Sequence, residues 1–242
     1  MAAVSLLLLG GAGRDAMARS YTTDFPLTEN PISEGGNWIN GLTVGLDFNN
    51  CATTNGVVSG YLGSGNADST ALLTGSWGSD QMVTAVLYKT GVIDSDFPEV
   101  ELRLRSSLSA HSCTGYEILY SLKTNASCYI GIVRWNGAIH DFTDPPAVVG
   151  TQYIATNGST LKATAIGSVI TAYLNGVPVI TNSDPTFTLT FTNGSPGVGF
   201  DYWGGSPPDT AFGLTSFTAT DGITNGTSQP PAPPTNLHII GP

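Results

Sequence analysis

Apolar and polar residues alternate with a period of two along most of the chain. The runs 42–48 (LTVGLDF), 82–88 (MVTAVLY), 99–105 (EVELRLR), 115–121 (GYEILYS) and 128–135 (CYIGIVRW) are rich in β-branched and aromatic residues. Most give way to turn-forming residues, so each reads as a strand. The plainest stretch is 160–181, where TLKATAI, VITAYL and VPVIT are separated by Gly167-Ser168 and Asn175-Gly176. Asn-Gly supplies the positive φ angles of a type I′ turn and Gly-Ser suits a type II′ turn, which predicts a three-stranded meander. A turn-rich segment at 193–197 then leads into Val198-Gly199-Phe200, and 204–208 leads into a last strand at about 212–219. Past the first residues no apolar stripe recurs every 3.6 positions, so the chain should hold little helix.

The two ends differ from this pattern. An apolar run at 2–9 followed by Ala16-Met17-Ala18 has the form of a signal peptide cleaved before Arg19, which predicts a secreted, extracellular or cell-surface protein. Beyond 221 the Pro-, Ser- and Thr-rich stretch cannot bury enough apolar surface to fold alone. The expected organisation is therefore a signal peptide at 1–18, one β-sandwich at 19–221 and a linker or tail at 222–242. No stretch reaches the ~20 apolar residues of a transmembrane helix.

Charge narrows the partners. Only 11% of residues are charged, and the formal net charge is −10 with just 8 Lys and Arg. Nucleic-acid binding needs basic side chains that displace counterions, so DNA and RNA are excluded as expected partners. Anionic membranes are disfavoured for the same reason.

The three cysteines, Cys51, Cys113 and Cys128, lack the spacing of a zinc site. In an oxidising compartment one disulfide plus one thiol is expected. If 115–121 and 128–135 form a hairpin, Cys128 sits opposite Ser121 and Cys113 lies roughly 26 Å farther along. A disulfide tolerates at most ~7 Å between Cα atoms, so Cys51 is expected to pair with Cys113 or Cys128.

Several segments together resemble the concanavalin A-like lectin/glucanase superfamily in its laminin G-like form. They are Asp24-Phe25 with Gly35-Gly36-Asn37-Trp38, Trp77-Gly78-Ser79-Asp80-Gln81, the hairpin 115–120 with 129–137, and 161–176, 184–187 and 194–199, closing with 212–221. The resemblance spans about 24–221. It implies an all-β jelly roll, a sandwich of two antiparallel sheets, one of them concave, with the first and last strands adjacent. Domains of this fold act as lectins, carbohydrate-binding modules, glycoside hydrolases, polysaccharide lyases or adhesion and spacer modules, so activity has to be argued from the site.

The strand 99–105 carries the densest candidate chemistry. Its period of two places Glu99, Glu101, Arg103 and Arg105 on one face. Glycosidases use paired carboxyl groups, and the Glu-x-Asp-x-x-Glu strand that hydrolases of this superfamily carry is absent. The strand also partly resembles the Arg-Glu-x-Arg strand of the lyases, whose Gln-x-His element is missing. One reading makes this face the floor of a sugar cleft, with Glu99 and Glu101 as catalytic candidates, Tyr120 or Tyr129 as proton donor, and Arg103 and Arg105 holding hydroxyl or carboxylate groups. The other makes it an outward Glu/Arg ladder paired with its neighbours. Trp135, Asn136 and Trp203 are candidate sugar contacts, because the apolar face of a sugar stacks on an aromatic ring. Trp38 and Trp77 are expected to plug the sandwich, and His111 and His140 to lie in loops. No cofactor is required. A structural calcium would draw on Asp94 and Asp96 or on Asp141 and Asp144.

Three functions follow: a noncatalytic glycan- or polysaccharide-binding or adhesion module, a polysaccharide lyase or glycosidase using the 99–105 strand, and a structural module of a sheath or filament that self-associates through sheet edges. A groove shared by the strand's polar face and a tyrosine would favour the enzyme.

Overall fold

The computed structural model describes residues 18–60, 68–93, 96–144, 147–203 and 211–223. Sixteen strands run in the order β1 (Ser20–Thr23), β2 (Trp38–Asn40), β3 (Cys51–Thr54), β4 (Val57–Gly60), β5 (Ser69–Leu73), β6 (Gln81–Lys89), β7 (Asp96–Ser109), β8 (Ser112–Ser121), β9 (Tyr129–Gly137), β10 (Phe142–Thr143), β11 (Val148–Val149), β12 (Thr160–Ile166), β13 (Val169–Leu174), β14 (Val177–Asn182), β15 (Ser195–Trp203) and β16 (Phe212–Asp221). The one α-helix among the described residues, α1 (Pro185–Thr188), is capped by the Asp184 carboxylate, which accepts from the Thr186 amide.

Two eight-stranded antiparallel sheets result. The first has the order β14-β13-β12-β6-β16-β4-β3 with β1 on β16, and the second β10-β9-β8-β7-β15-β5-β2 with β11 on β9. The first and last strands therefore pair, Ser20 opposite Thr220, as the resemblance implies. Val83, Ala85 and Leu87 of β6, Val100, Leu102 and Leu104 of β7, and Ile118 and Tyr120 of β8 fill one core between the sheets together with Trp38 and Trp77. The meander forms as read, and Asn175 and Gly176 both adopt positive φ, as a type I′ turn requires.

Two expectations are corrected. Residues 42–48 are not a strand: Leu42–Val44 is a single 3₁₀ turn ended by Gly45 at φ 82°. Leu46 and Phe48 still point the same way, and they close over the outer face of the second sheet, where they join Cys113, Val133 and Trp135 in a separate apolar cluster. The disulfide does not form either, because all three cysteines are buried and free. Cys113 lies in the outer cluster while Cys51 and Cys128 lie in the core between the sheets, so the second sheet separates them. Cys51 and Cys128 are kept apart by topology, since β3 is the edge strand at one end of its sheet and β9 lies near the opposite end of the other. Residues 1–17 and 224–242, with most of the expected signal peptide and tail, lie outside the described residues.

Candidate functional site

β7 runs between β8 and β15 in the second sheet, and its alternation sends Val100, Leu102 and Leu104 inward. Glu99, Glu101 and Arg103 therefore share the outer face. Across the ladder, Glu99 stands opposite Asp201 of β15, Glu101 opposite Leu119 and Gly199, and Arg103 opposite Glu117 and Gly197. Gly199 permits the closest of these approaches. A Cβ there would lie 2.1 Å from Glu101 Oε2 and 3.0 Å from Arg103 Nε.

Arg103 has 0% exposure and sits between two carboxylates, with Nη2 2.5 Å from Glu101 Oε2 and Nη1 2.7 Å from Glu117 Oε2. The Trp135 indole N–H donates to the same Glu117 oxygen at 2.6 Å. Phe48 packs edge-on to Trp135 with ring centroids 4.9 Å apart, and the Arg103 guanidinium lies 5.7 Å from the Trp135 ring. Burial alone would lower the Arg103 pKa, but the Glu117 and Glu101 carboxylates reverse this and hold the guanidinium charged. Two carboxylates share one arginine, which leaves one carboxyl in surplus. Glu101 accordingly stays well above the usual carboxylate range, through burial and the charge of Glu117.

The same face opens beyond this pair. A cavity of about 480 Å³ has Glu99, Glu101, Glu117 and Asp201 on its floor and Tyr129 and Trp135 on its walls. Asp68, Asp144 and His140 also line it, and Phe97, Phe142 and Val149 stand around it at 50%, 45% and 56% exposure. The Tyr129 hydroxyl donates to Glu99 Oε1. Burial pushes the Glu99 carboxyl up to about 8 against that hydrogen bond, and the charges of Glu117, Asp68 and Asp144 raise it further. Asp201 is raised too, by burial and then by Asp68 and Glu99. One carboxylate oxygen from each of Glu99, Glu101 and Glu117 lies within 4.8 Å of the others.

The sequence-derived candidates separate accordingly. Glu99, Glu101, Tyr129 and Trp135 meet at the cavity, and Arg103 lies buried behind its floor. Arg105 leaves that face. Its φ is 48° at a bulge, which turns the side chain to Ser79 O, Thr188 O and Gly167 O and to a 3.5 Å ion pair with Asp80. Tyr120 lies in the core with its hydroxyl donating to Tyr153 O. Asn136 bonds Arg134, Asp141 and Thr143 rather than facing the cavity. Asp141 thus sits in a turn while Asp144 lines the cavity. Asp94 and the side chains of Asp96 and Trp203 lie outside the described residues. His111 is exposed beside Asp47.

Glu117, Asp201, Asp68 and the three apolar residues at the mouth were not anticipated. The register carried the only signal for Glu117: it stands opposite Arg103 in the β7–β8 hairpin.

No family model matches the sequence, and no curated protein matches it. Solved structures do match. The chain is similar to a carbohydrate binding module, CBM66, from Bacillus subtilis (17% identity, TM-score 0.50, covering 76% of this chain and 92% of that one). It is also similar to the potassium-bound carbohydrate recognition domain of Emp46p (13%, TM-score 0.54, covering 83% and 95%). A third similarity is to β-agarase B from Zobellia galactanivorans (11%, TM-score 0.55, covering 84% and 94%). At these identities the likeness speaks to architecture alone, and it agrees with the paired first and last strands and the two eight-stranded sheets. The chain has the concanavalin A-like lectin/glucanase fold, a jelly-roll β-sandwich.

Proposed function

We propose that this protein binds a glycan in the cavity on the outer face of the second sheet. The observation that carries this reading is the pairing of an exposed apolar mouth (Phe97, Phe142 and Val149) with a floor of carboxyl groups. Sugar rings present C–H faces that stack on aromatic side chains and hydroxyls that donate to acceptors such as carboxylates. Exposed apolar side chains around a cavity have little to contribute to a plain spacer. The carbohydrate-binding neighbours, and the β-agarase B solved with agaro-octaose, lend the reading support. Action outside the cell belongs to the same proposal, on the strength of the leader-like segment 1–18. A glycan array and polysaccharide pull-down on residues 19–221, with and without calcium, tests it: the native protein retains a glycan and Phe142→Ala does not. A blank array with both proteins folded would refute it.

Cleavage of the bound glycan is the second reading, favoured by Glu99. A carboxyl pushed to about 8 in a cavity is protonated at neutral pH, as a general acid must be. The oxygens of Glu99, Glu101 and Glu117 lie within 4.8 Å of one another, nearer the ~5–5.5 Å carboxyl spacing of retaining glycosidases than the wider spacing of inverting ones, so hydrolysis here would retain anomeric configuration. Elimination from a uronate fits poorly. The phenol of Tyr129 is raised by burial and by Glu99, and the carboxyl groups around it would repel a uronate. Calcium also fits poorly at Glu99, Glu101 and Glu117, because it needs six to eight oxygens and two of these carboxylates already hold Arg103. Product analysis of any retained polymer decides for cleavage or binding alone, and Glu99→Gln should bind without cleaving.

A further inference from the structure

The cavity's charge points to which glycan it takes. Building on the glycan-binding reading, we propose that the ligand is an amino sugar with a free ammonium group, taken in preference to neutral, acetylated or uronic-acid sugars.

Three observations converge. Asp68, Glu99, Glu101, Glu117, Asp144 and Asp201 all line the cavity, and no lysine or arginine does among the described residues. Arg103 cannot serve a ligand, being fully buried and held between Glu101 and Glu117. Among the described residues His140 is the single basic side chain at the wall. Glu99 supplies the second, independent sign. It is 6% exposed, lines the cavity, and its Oε1 accepts from Tyr129.

A carboxyl in that position must either keep a proton or meet a cation, since a bare buried charge is costly. An ammonium answers with three donors and a full charge, where a hydroxyl offers one donor and none. The exposed Phe97 and Phe142 rings add to this, because aromatic faces attract ammonium groups as well as C–H faces. An acetamide removes the charge, and a uronate would bring one more carboxylate to a cavity whose carboxyl groups already outnumber its cations.

The test is calorimetric titration of the whole chain at about pH 6, below the pKa of the sugar amine. Three tetrasaccharides are compared: β-1,4-linked glucosamine, its fully N-acetylated form, and a uronate tetramer. The glucosamine tetramer should bind at least about tenfold more tightly than the acetylated one, with the uronate not binding. Glu99→Gln should erase most of that preference. Asp144→Asn, at an exposed position, should reduce it severalfold. Added salt should also narrow it, since the attraction is screened. Equal or tighter binding of the acetylated tetramer would overturn the inference while leaving the glycan-binding reading standing. Failure of the glucosamine tetramer to bind overturns the inference, and only a blank glycan array as well would bring down the broader reading.

Discussion

One face of one sheet is built in two ways within a few residues. Around Arg103 it is sealed: the guanidinium lies between Glu101 and Glu117 while Leu46, Phe48 and Trp135 close over it. Around Glu99 it is open, with Asp201 opposite, Tyr129 at its side and Phe97, Phe142 and Val149 at a wide mouth. Both regions hold carboxyl groups in excess of positive charge. The sealed one answers the excess with an arginine and the open one with protons, so the first is suited to holding the floor rigid and the second to exchanging its protons for a ligand.

The largest way to break that contrast is to remove Arg103. Arg103→Met leaves the almost fully buried Glu101 and Glu117 without their shared cation, and losing one partner of a buried ion pair costs about 3–5 kcal/mol. Urea unfolding should report a loss of that size. Adding Glu101→Gln and Glu117→Gln should return most of it, because no unpaired charge then remains. A triple variant as unstable as the single one would mean that shape, not charge, fixes the sealed end.

Gly199→Ala is the next step down. Its Cβ meets Glu101 Oε2 and must push the Glu101–Arg103 pair aside, and overpacking of this kind costs about 1–3 kcal/mol. A variant as stable as the native protein in the same unfolding assay would show that the pair can shift freely.

The open end responds to pH instead. Glu99 ionises near 4.5 in the unfolded chain and near 8 in the folded one, so between these values only the unfolded state has released its proton. Raising the pH through this window therefore draws the equilibrium toward unfolding, and stability is greatest below it. Melting temperature should fall by several degrees from about pH 5 to about pH 8, and Glu99→Gln should flatten part of that fall. A native Tm that rises across this range would contradict the burial of Glu99 as a neutral acid.

How much of this could be read in advance differs between the two ends. Parity along β7 placed Glu99, Glu101 and Arg103 together, because an Arg/Glu face against Val100, Leu102 and Leu104 leaves one way to fold the strand. Parity failed at Arg105, where a positive φ at the bulge turns the side chain to the other side. In β8 and β9 it was ambiguous, since Leu119, Val133 and Trp135 are apolar on the outer face as well. That is why Tyr120 looked as available as Tyr129, although Tyr120 faces the core. The hairpin register pairs Tyr120 with Ile130, one residue from the expected alignment, and such a slip exchanges the two faces of a strand. Phe97 comes from the start of β7, and Phe142 and Val149 from two short ladder additions much later in the chain. No local pattern announces them.

The smallest structural change sharpens the contrast most. Phe142 is 45% exposed and its ring lies 5.3 Å from that of Trp135. Truncating it uncovers little apolar area, so Phe142→Ala should shift unfolding by less than about 1 kcal/mol. The same change removes a stacking surface at the mouth, and glycan affinity should drop about tenfold or more. Trp135 offers a matching comparison from the seam between the two ends, where it lines the cavity wall and also reaches Glu117. Trp135→Phe keeps a ring beside Phe48 but loses the 2.6 Å hydrogen bond to Glu117, which costs about 1.5–3 kcal/mol because the acceptor is charged. Stability should therefore respond to Trp135 far more than to Phe142, whereas Phe142 should change binding with little change in stability. If Phe142→Ala lost as much stability as Trp135→Phe, the face would be a single packed unit, and the apolar mouth could no longer be assigned to a ligand.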